Sequence, residues 1–368
     1  VNAADNKIRD PSMRNIKVNI DAENNTILVM NDGKGIPIEI HKKEKIYIPE
    51  LIFGNLLTSS NYDDDEKKVT GGRNGYGAKL CNIFSTEFVL ETADLNTSQV
   101  YKQTWTNNMA NLTKPKITKL KSKKEYTKVT FKPDLSKFHM EMLDDDILSV
   151  LRRRVYDLCG TVKDCNIYLN DKKLSIRNFK SYVEMYVNAI RERSPDPVAP
   201  EGETRNYSTI VHEVFNDRWE VAFAVSDGSF NQVSFVNSIA TTSGGTHVKY
   251  VSDQIITKLI DALTKKEKGK KKLNIKPQEV RNNMFVFINC LIENPAFTSQ
   301  TKEQLTTRVA QFGGKPLEKI VISDQFIAKI LKTSIADKIR TIVNANEDKE
   351  MLKADGSRKS RIKNQVKL

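Results

Sequence analysis

Residues 71–79 read Gly-Gly-Arg-Asn-Gly-Tyr-Gly-Ala-Lys, the most informative stretch of this chain. Four glycines within seven positions let backbone amides approach a ligand that Cβ atoms would hold away. The apolar residues that follow predict a helix, and a glycine loop before a helix is typical of anion-binding sites because unpaired N–H groups face the ligand. The spacing G-x-x-G-x-G is neither a dinucleotide fingerprint nor a P-loop. A tight surface turn before a helix is the alternative interpretation.

The composition is that of a soluble, basic protein of two ordinary domains. The 368 residues are 39% hydrophobic and 29% charged, and no apolar run approaches the ~20 residues that cross a bilayer. The net charge of +13 favours a polyanionic partner, most simply nucleic acid, although a basic protein without such a partner has the same charge. The cysteines and histidines are too scattered to indicate a zinc site or a disulfide framework.

Hydrophobic periodicity predicts strands and helices on both sides of the loop. In the first half, a hairpin of two short strands runs into the glycine-rich loop 31–37. The predicted strands are 16–20, 26–30, 87–93, 100–106 and 127–131, and the predicted helices are 47–57, 143–159 and one that follows the loop. In the second half, the predicted strands are 220–225, 233–239 and 284–292, and the predicted helices are 248–263 and 324–343.

This alternation predicts an α+β protein of two α/β sandwiches, each a sheet with helices on one face. We expect a first domain over residues 1–177, a second over 178–345 and a connector over 346–368. Residues 191–205 contain three prolines and no apolar period, so we expect a loop or insertion there.

Three polar and glycine-rich clusters, at 2–5, 31–35 and 71–79, follow one another in an order that resembles the ATP site of the gyrase, chaperone, histidine-kinase and mismatch-repair superfamily. Three segments have amino-acid sequences similar to those of the eukaryotic type II DNA topoisomerases: residues 58–84, 233–241 and 291–303. The resemblance covers nearly the whole chain. It implies an ATP-binding domain followed by a transducer domain.

The resemblance also implies roles for individual residues. Asn2 would offer an amide oxygen to Mg²⁺ on the ATP phosphates, with Asp5 facing the same pocket. Asn31 would read the adenine amino edge, with Thr127 as its partner through a water; an ordinary strand threonine is the alternative for Thr127. The remaining implied ATP contacts are Ser59, Ser60 and Asn61 at the ribose and phosphates, Arg73, Asn74, Gly75, Tyr76, Gly77 and Lys79 around the phosphates, and Gln300 and Lys302 at the γ-phosphate.

The implied role of Lys302 has an alternative, and one residue of the family's site lies outside this sequence. A solvated lysine at a helix start is the alternative for Lys302, because lysine is mostly exposed. The general-base glutamate of the family's first motif, E-x-x-x-N-A-x-D, would stand upstream of Val1. We therefore expect this chain by itself to bind nucleotide weakly and to hydrolyse it poorly. It contains no DNA-linking tyrosine of the family, so we expect no DNA cleavage by it alone.

The lysine-rich run 265–272 resembles the loop of the transducer domain that faces DNA, so Lys270, Lys271 and Lys272 are candidate contacts to phosphates. A solvated loop at a helix end is the alternative. The resemblance implies double-stranded DNA as the partner, a homodimer in the intact enzyme, no membrane and a nuclear location. Two other functions stay open from the residues: a nucleotide-dependent clamp or chaperone of the same superfamily, and a basic nucleic-acid-binding protein with an incidental glycine loop.

Overall fold

The computed structural model describes residues 1–55, 68–72, 75–193, 209–265, 274–314 and 319–365. Within these residues the chain forms two mixed sheets with helices packed against them, as the predicted α+β class requires. None of the described helices is both long enough and apolar enough to cross a membrane.

The first sheet has nine strands in the described part of the chain, in the order β5-β4-β3-β7-β2-β1-β8-β9, with β6 also pairing with β4. These strands are β1 (Asn15–Asp21), β2 (Thr26–Asp32), β3 (Ser85–Asp94), β4 (Gln99–Thr106), β5 (Asn111–Leu112), β6 (Lys116–Lys119), β7 (Tyr126–Pro133), β8 (Asn166–Leu169) and β9 (Lys172–Lys173). The accompanying helices are α1 (Asn2–Arg9), α2 (Ile48–Gly54), α3 (Gly77–Ile83) and α4 (Asp145–Thr161).

Alternation along the strands places the helices on one face of this sheet. In β1, Ile16, Val18 and Ile20 are buried and pack with α1 and α4, whereas Lys17 and Asn19 are half-exposed. Side chains alternate between the two faces of a strand, so every second residue lies on the same face of the sheet. The alternating pattern in the sequence therefore distinguishes core residues from solvent-facing ones. The predicted hairpin is confirmed, since β1 and β2 pair antiparallel with Ile16 opposite Asn31.

The second sheet has five strands in the order β10-β11-β14-β12-β13, counted over the described residues. Its strands are β10 (Val211–Asn216), β11 (Trp219–Val225), β12 (Asn231–Val236), β13 (Ile239–Ala240) and β14 (Met284–Cys290). The helices that follow the first domain are α5 (Phe179–Arg193), α6 (Thr246–Lys265), α7 (Pro277–Arg281), α8 (Asp324–Ile330) and α9 (Ile335–Gln365).

Helices cover both faces of the second sheet, so the expectation of one covered face is wrong for this half of the chain. Phe285 and Phe287 of β14 pack with α5, whereas Val286 and Ile288 pack with the cluster that contains α6, α8 and α9. Every residue of β14 is buried. A continuous apolar run is what a strand between two covered faces needs, because neither set of side chains meets water.

Further differences from the sequence-based expectations lie near the end of the second domain. The predicted helix 324–343 is two helices, α8 and α9, and α9 continues through residue 345 to Gln365. Ser323 caps α8, since its Oγ accepts a hydrogen bond from the Phe326 N–H at 3.0 Å. The boundaries proposed at 177 and 345 stay predictions. Residues 191–193, the start of the expected loop or insertion 191–205, belong to α5, and residues 194–205 lie outside the described residues.

Candidate functional site

Helix α1 brings three polar side chains to one of its faces. Asn2, Asp5 and Asn6 are three and four residues apart, which is the spacing of neighbours on a helix surface. Asn6 Nδ2 lies 3.4 Å from the Lys34 carbonyl oxygen in the loop after β2. The sequence analysis did not select Asn6, although its i, i+4 spacing from Asn2 was a usable signal. This helix face therefore borders both the 31–37 loop and the glycine loop.

The Asp5 carboxylate binds the start of the glycine loop. Its Oδ1 accepts the Gly71 N–H and its Oδ2 accepts the Gly72 N–H, each at 2.7 Å. The side chain is only 2% exposed. Burial raises the pKa of the Asp5 carboxyl, and the two backbone N–H groups oppose that rise. Asp5 thus faces the predicted pocket, where it holds the loop through backbone donors.

Asn2 lies against the same stretch of backbone. A Cβ added at Gly72 would stand 3.4 Å from Asn2 Oδ1 and 3.1 Å from Asp5 Oδ2. Glycine at this position therefore lets the loop run close to two oxygen-bearing side chains. The structure places Gly72 beside Asn2 and Asp5, the two residues that the sequence analysis expected in one pocket.

Asn31 and Thr127 lie directly opposite each other on β2 and β7. Asn31 is 6% exposed, and its Nδ2 donates to the Asp32 carbonyl oxygen at 2.9 Å. The Thr127 hydroxyl is 3.0 Å from that of Thr92, which lies across from Thr127 on β3 and also accepts the Ile36 N–H at 3.0 Å. Strand register therefore places the two predicted residues side by side.

Thr92 is a polar residue of this region that the sequence analysis missed. It is fully buried and follows Phe88 and Leu90 on the inner face of β3. Its position in the alternating pattern of β3 could have identified it. A threonine that alternates in step with core residues points inward, and its buried hydroxyl needs a hydrogen-bond partner.

The loop after β2 passes so close to β3 that one position admits only glycine. A Cβ added at Gly35 would be 1.9 Å from the Ala93 carbonyl oxygen. Gly33 has a φ of +86°, and a Cβ there would be 2.7 Å from Asp10 Oδ2. Asp10 Oδ2 also accepts the Lys34 N–H at 2.7 Å, which ties this loop to the end of α1.

The described part of the 71–79 loop leads into α3. Gly75 has a φ of +66°, and a Cβ added at Gly77 would meet no atom within 4 Å. Lys79 is 2% exposed, and its Nζ donates to the Gly75 carbonyl oxygen at 2.8 Å. Burial lowers the pKa of Lys79. In this structure Lys79 therefore stabilises the loop by binding its backbone. The predicted phosphate contacts of Lys79 and of the half-buried Tyr76 stay predictions.

The second domain reaches the glycine loop through Lys302. Its Nζ donates to the Gly71 carbonyl oxygen at 2.8 Å, across 231 residues of sequence. Burial lowers the pKa of the Lys302 ammonium, and the nearby Asp5 carboxyl opposes that shift. Gln300, two residues earlier, is exposed. Lys302 is half-buried and its amine is hydrogen-bonded to the loop backbone in this structure, and its predicted contact with the γ-phosphate stays a prediction.

Several predicted contacts cannot be placed. These residues lie outside the described ranges: Ser59, Ser60, Asn61, Arg73, Asn74, Lys270, Lys271 and Lys272.

Comparisons with known proteins identify the family. The model described as histidine kinase-, DNA gyrase B-, and HSP90-like ATPase matches residues 1–137, and the DNA gyrase B model matches residues 178–359. The crystal structure of the ATPase region of Saccharomyces cerevisiae topoisomerase II is 62% identical with a TM-score of 0.83, and the match covers 93% of this chain and 83% of that one. The chain belongs to the topoisomerase II family.

Other topoisomerase II relatives agree with this assignment. The ATPase and transducer domains from Balamuthia mandrillaris are 44% identical with a TM-score of 0.83, covering 94% of this chain and 83% of that structure. DNA topoisomerase 2 of Meyerozyma guilliermondii is 99% identical over all of this chain, which spans 26% of that relative. The chain thus covers about a quarter of the curated topoisomerase II sequences that it matches. The sequence resemblance and the two-part fold are confirmed, and the match to this ATPase region does not favour the clamp or chaperone alternative.

Proposed function

We propose that this chain binds ATP between α1, the loop after β2 and the glycine loop, and passes the state of the nucleotide to the second domain. Asn31 and Thr127 recognise the adenine, and Ser59, Ser60 and Asn61 contact the ribose and phosphates. The phosphate contacts come from the loop residues Arg73, Asn74, Gly75, Tyr76, Gly77 and Lys79, and from Gln300 and Lys302 of the second domain.

The observation that carries this proposal is the position of Gly71 between the two domains. Its N–H is bound by Asp5 of α1, and its carbonyl oxygen is bound by Lys302. A lysine amine beside a glycine loop is placed to exchange a backbone carbonyl for a phosphate oxygen, which is a stronger, charge-assisted acceptor. Such an exchange would move the two domains relative to each other when the terminal phosphate is present.

Mg²⁺ fits this site as a partner of the phosphates. A magnesium ion keeps several waters and takes one or two protein ligands together with phosphate oxygens. No group of three or more histidine, cysteine, aspartate or glutamate side chains gathers into a metal site within the described ranges. The Asn2 amide oxygen beside Gly72 is the ligand that we propose.

For the intact protein we propose the activity of its relatives, an ATP-dependent DNA topoisomerase in the nucleus. ATP binding would close a homodimeric gate around double-stranded DNA, and hydrolysis would reopen it after strand passage. The net charge of +13 supports an anionic partner for the ATPase and transducer part.

Lys302→Met tests the proposed site. Calorimetry with Mg²⁺ would compare a non-hydrolysable ATP analogue with ADP on the wild-type chain and the variant. We expect Lys302→Met to weaken analogue binding about tenfold or more and to leave ADP binding nearly unchanged, because the lost charge-assisted bond reaches only the terminal phosphate. Lys42→Met, which removes an exposed lysine, is the control. Failure of the wild-type chain to bind the analogue would refute the proposal.

A further inference from the structure

Residues 68–72 of the first domain run along the second domain and are held there at three points. Asn294 N–H donates to the Lys68 carbonyl oxygen at 3.0 Å, and Lys302 Nζ donates to that of Gly71 at 2.8 Å. Between them, Asn237 Nδ2 donates to the Thr70 carbonyl oxygen at 3.2 Å. The backbone is thus hydrogen-bonded to the second domain from Lys68 to Gly71, the first residue of the glycine loop.

Asn237 occupies an unusual position in the turn between β12 and β13. Its φ is +51°, a left-handed conformation that asparagine tolerates better than most residues, and its side chain is 1% exposed. Besides Thr70, its amide bonds the backbone of Ile292 in both directions: Oδ1 accepts the Ile292 N–H and Nδ2 donates to the Ile292 carbonyl oxygen, each at 2.9 Å. One buried amide therefore joins the turn, the segment after β14 and the segment before the glycine loop.

The loop also packs tightly on this turn. A Cβ added at Gly71 would stand 3.1 Å from the Asn237 carbonyl oxygen and 2.9 Å from Ile239 Cδ1. The Thr70 carbonyl, which Asn237 holds, lies in one peptide plane with the Gly71 N–H, so this bond helps to direct the Gly71 N–H to Asp5. The Gly72 N–H, which Asp5 also binds, shares its peptide plane with the Gly71 carbonyl that Lys302 holds. If the turn between β12 and β13 moves relative to β14, the segment that enters the glycine loop must therefore move with it.

We infer that Asn237 is a positioning residue for the nucleotide site, acting through Thr70 on the backbone of Gly71 and Gly72. It couples the phosphate loop to the second domain by a link that needs no contact with the ligand. This inference rests on the proposed nucleotide function. It differs from the role of Lys302, because Asn237 sets where the loop lies, whereas Lys302 is proposed to contact the phosphate.

Asn237→Asp is the sharpest variant. It keeps the size of the side chain, its tolerance of the left-handed backbone and the acceptor for the Ile292 N–H. It replaces Nδ2 with an oxygen that faces the carbonyl oxygens of Thr70 and Ile292, so two hydrogen bonds become repulsive contacts.

Asn283→Asp is the matched control. Asn283 is also buried in the second domain, at 3% exposure, and its Nδ2 donates to the Glu279 carbonyl oxygen at 2.8 Å. The same chemical change there removes a buried donor whose bond lies within the second domain. It reports the effect of general destabilisation on nucleotide binding.

The measurements are the Kd of a non-hydrolysable ATP analogue with Mg²⁺ and the thermal midpoint of unfolding. We expect Asn237→Asp to raise the Kd about tenfold, and Asn283→Asp to lower the midpoint while its Kd stays within about twofold of wild type. Asn237→Gly keeps the left-handed backbone without the amide and should raise the Kd as well, which covers the case in which the aspartate variant does not fold.

Wild-type affinity in a folded Asn237 variant would overturn the inference and leave the nucleotide site intact. An equal rise of Kd in Asn283→Asp would overturn it too, because destabilisation alone would then explain the effect. Absence of analogue binding by the wild-type chain would overturn the proposed function, and the inference with it.

Discussion

At the scale of single residues, the candidate site depends on side chains that bind backbone atoms. Asp5 takes two glycine N–H groups, Lys302 and Lys79 donate to loop carbonyls, and Asn237 bridges two segments. Bonds of this kind fix the path of a glycine-rich loop that has few side chains of its own to pack. The described part of the loop is thus held in place by its surroundings, which would reduce the entropy lost in the proposed binding of nucleotide.

His247 makes the second domain sensitive to acid. It is completely buried, and its Nε2 lies 3.0 Å from the Thr241 hydroxyl. Burial lowers the pKa of His247 to about 3, from a usual value of 6.5. Between these pH values the unfolded chain binds a proton that the folded chain does not, so stability is complete above about pH 6.5 and falls as the pH drops toward 3.

We expect this histidine to contribute a slope of up to about 1.4 kcal/mol per pH unit to the free energy of unfolding. Urea unfolding of the wild-type chain and of His247→Gln at pH 7.5, 6 and 5 would measure it. The variant should lose less stability than the wild type between pH 6 and 5. Parallel curves for the two proteins would show that His247 does not titrate on unfolding.

The candidate site residues came from the family resemblance, and their predicted contacts with ATP stay predictions. Asn31 and Thr127 were paired through that resemblance, and strand register places them side by side. Asn237 could not be predicted, because its partners Thr70 and Ile292 are 167 and 55 residues away and sequence distance says nothing about such contacts. The bonds of Asp5 to Gly71 and Gly72 span 66 and 67 residues and were hidden for the same reason.

At the scale of elements, α5 is a 15-residue helix that the sequence analysis missed. Phe179, Tyr182, Val183 and Val187 are buried against the second sheet at helical spacing, so the periodic signal was present. It was overlooked because charged and polar residues around it resembled a linker. The consequence was the wrong expectation that one face of the second sheet is open.

Helix α5 is also joined to α4 of the first domain by a buried polar contact. The Tyr182 hydroxyl donates to Asp157 Oδ1 at 2.6 Å, and a Cβ added at Gly160 would lie 2.8 Å from the Tyr182 ring. Asp157 Oδ2 accepts no hydrogen bond within the described part of the chain, and Arg154 Nη1 stands 3.9 Å away. Burial raises the pKa of the Asp157 carboxyl.

Tyr182→Phe should therefore destabilise the chain by about 1–3 kcal/mol at pH 7, because it leaves a buried carboxyl with neither oxygen hydrogen-bonded. Urea unfolding measures the change. Asp157→Asn is the control: its amide oxygen can still accept the tyrosine O–H and carries no charge into the buried site, so we expect stability equal to or above wild type. Wild-type stability in Tyr182→Phe would show that the hydrogen bond contributes little, and an equal loss in Asp157→Asn would show that the charge of Asp157 stabilises the contact.

At the scale of the whole molecule, the described parts of the two domains meet at a helix joint and at residues 68–72, and these two contacts differ in character. Helices α4 and α5 meet in a packed, largely apolar joint, whereas residues 68–72 lie on the second domain through hydrogen bonds to single backbone atoms. A packed joint resists sliding, while individual hydrogen bonds can be exchanged one at a time. We therefore expect the nucleotide to alter the contact at the glycine loop and the helix joint to act as the pivot.

The positive charge of the whole molecule gives the last prediction. With 59 lysines and arginines against 46 acidic residues, the chain should bind duplex DNA by releasing counterions, so its affinity should fall steeply with salt. Lys270, Lys271 and Lys272 are the proposed contacts. Replacing all three by glutamine should reduce the slope of log K against log salt by up to about 2.7, since each phosphate contact contributes about 0.9.

Fluorescence anisotropy of a labelled duplex over a range of salt concentrations would measure that slope. The matched control replaces Lys42, Lys43 and Lys137, which are exposed lysines of the first domain, and so makes the same change in net charge. If binding is local to the lysine-rich run, only the first variant loses slope, because counterions are released where phosphates are neutralised. Equal losses in both variants would instead indicate that DNA responds to the overall charge of +13 and that residues 270–272 form no particular site.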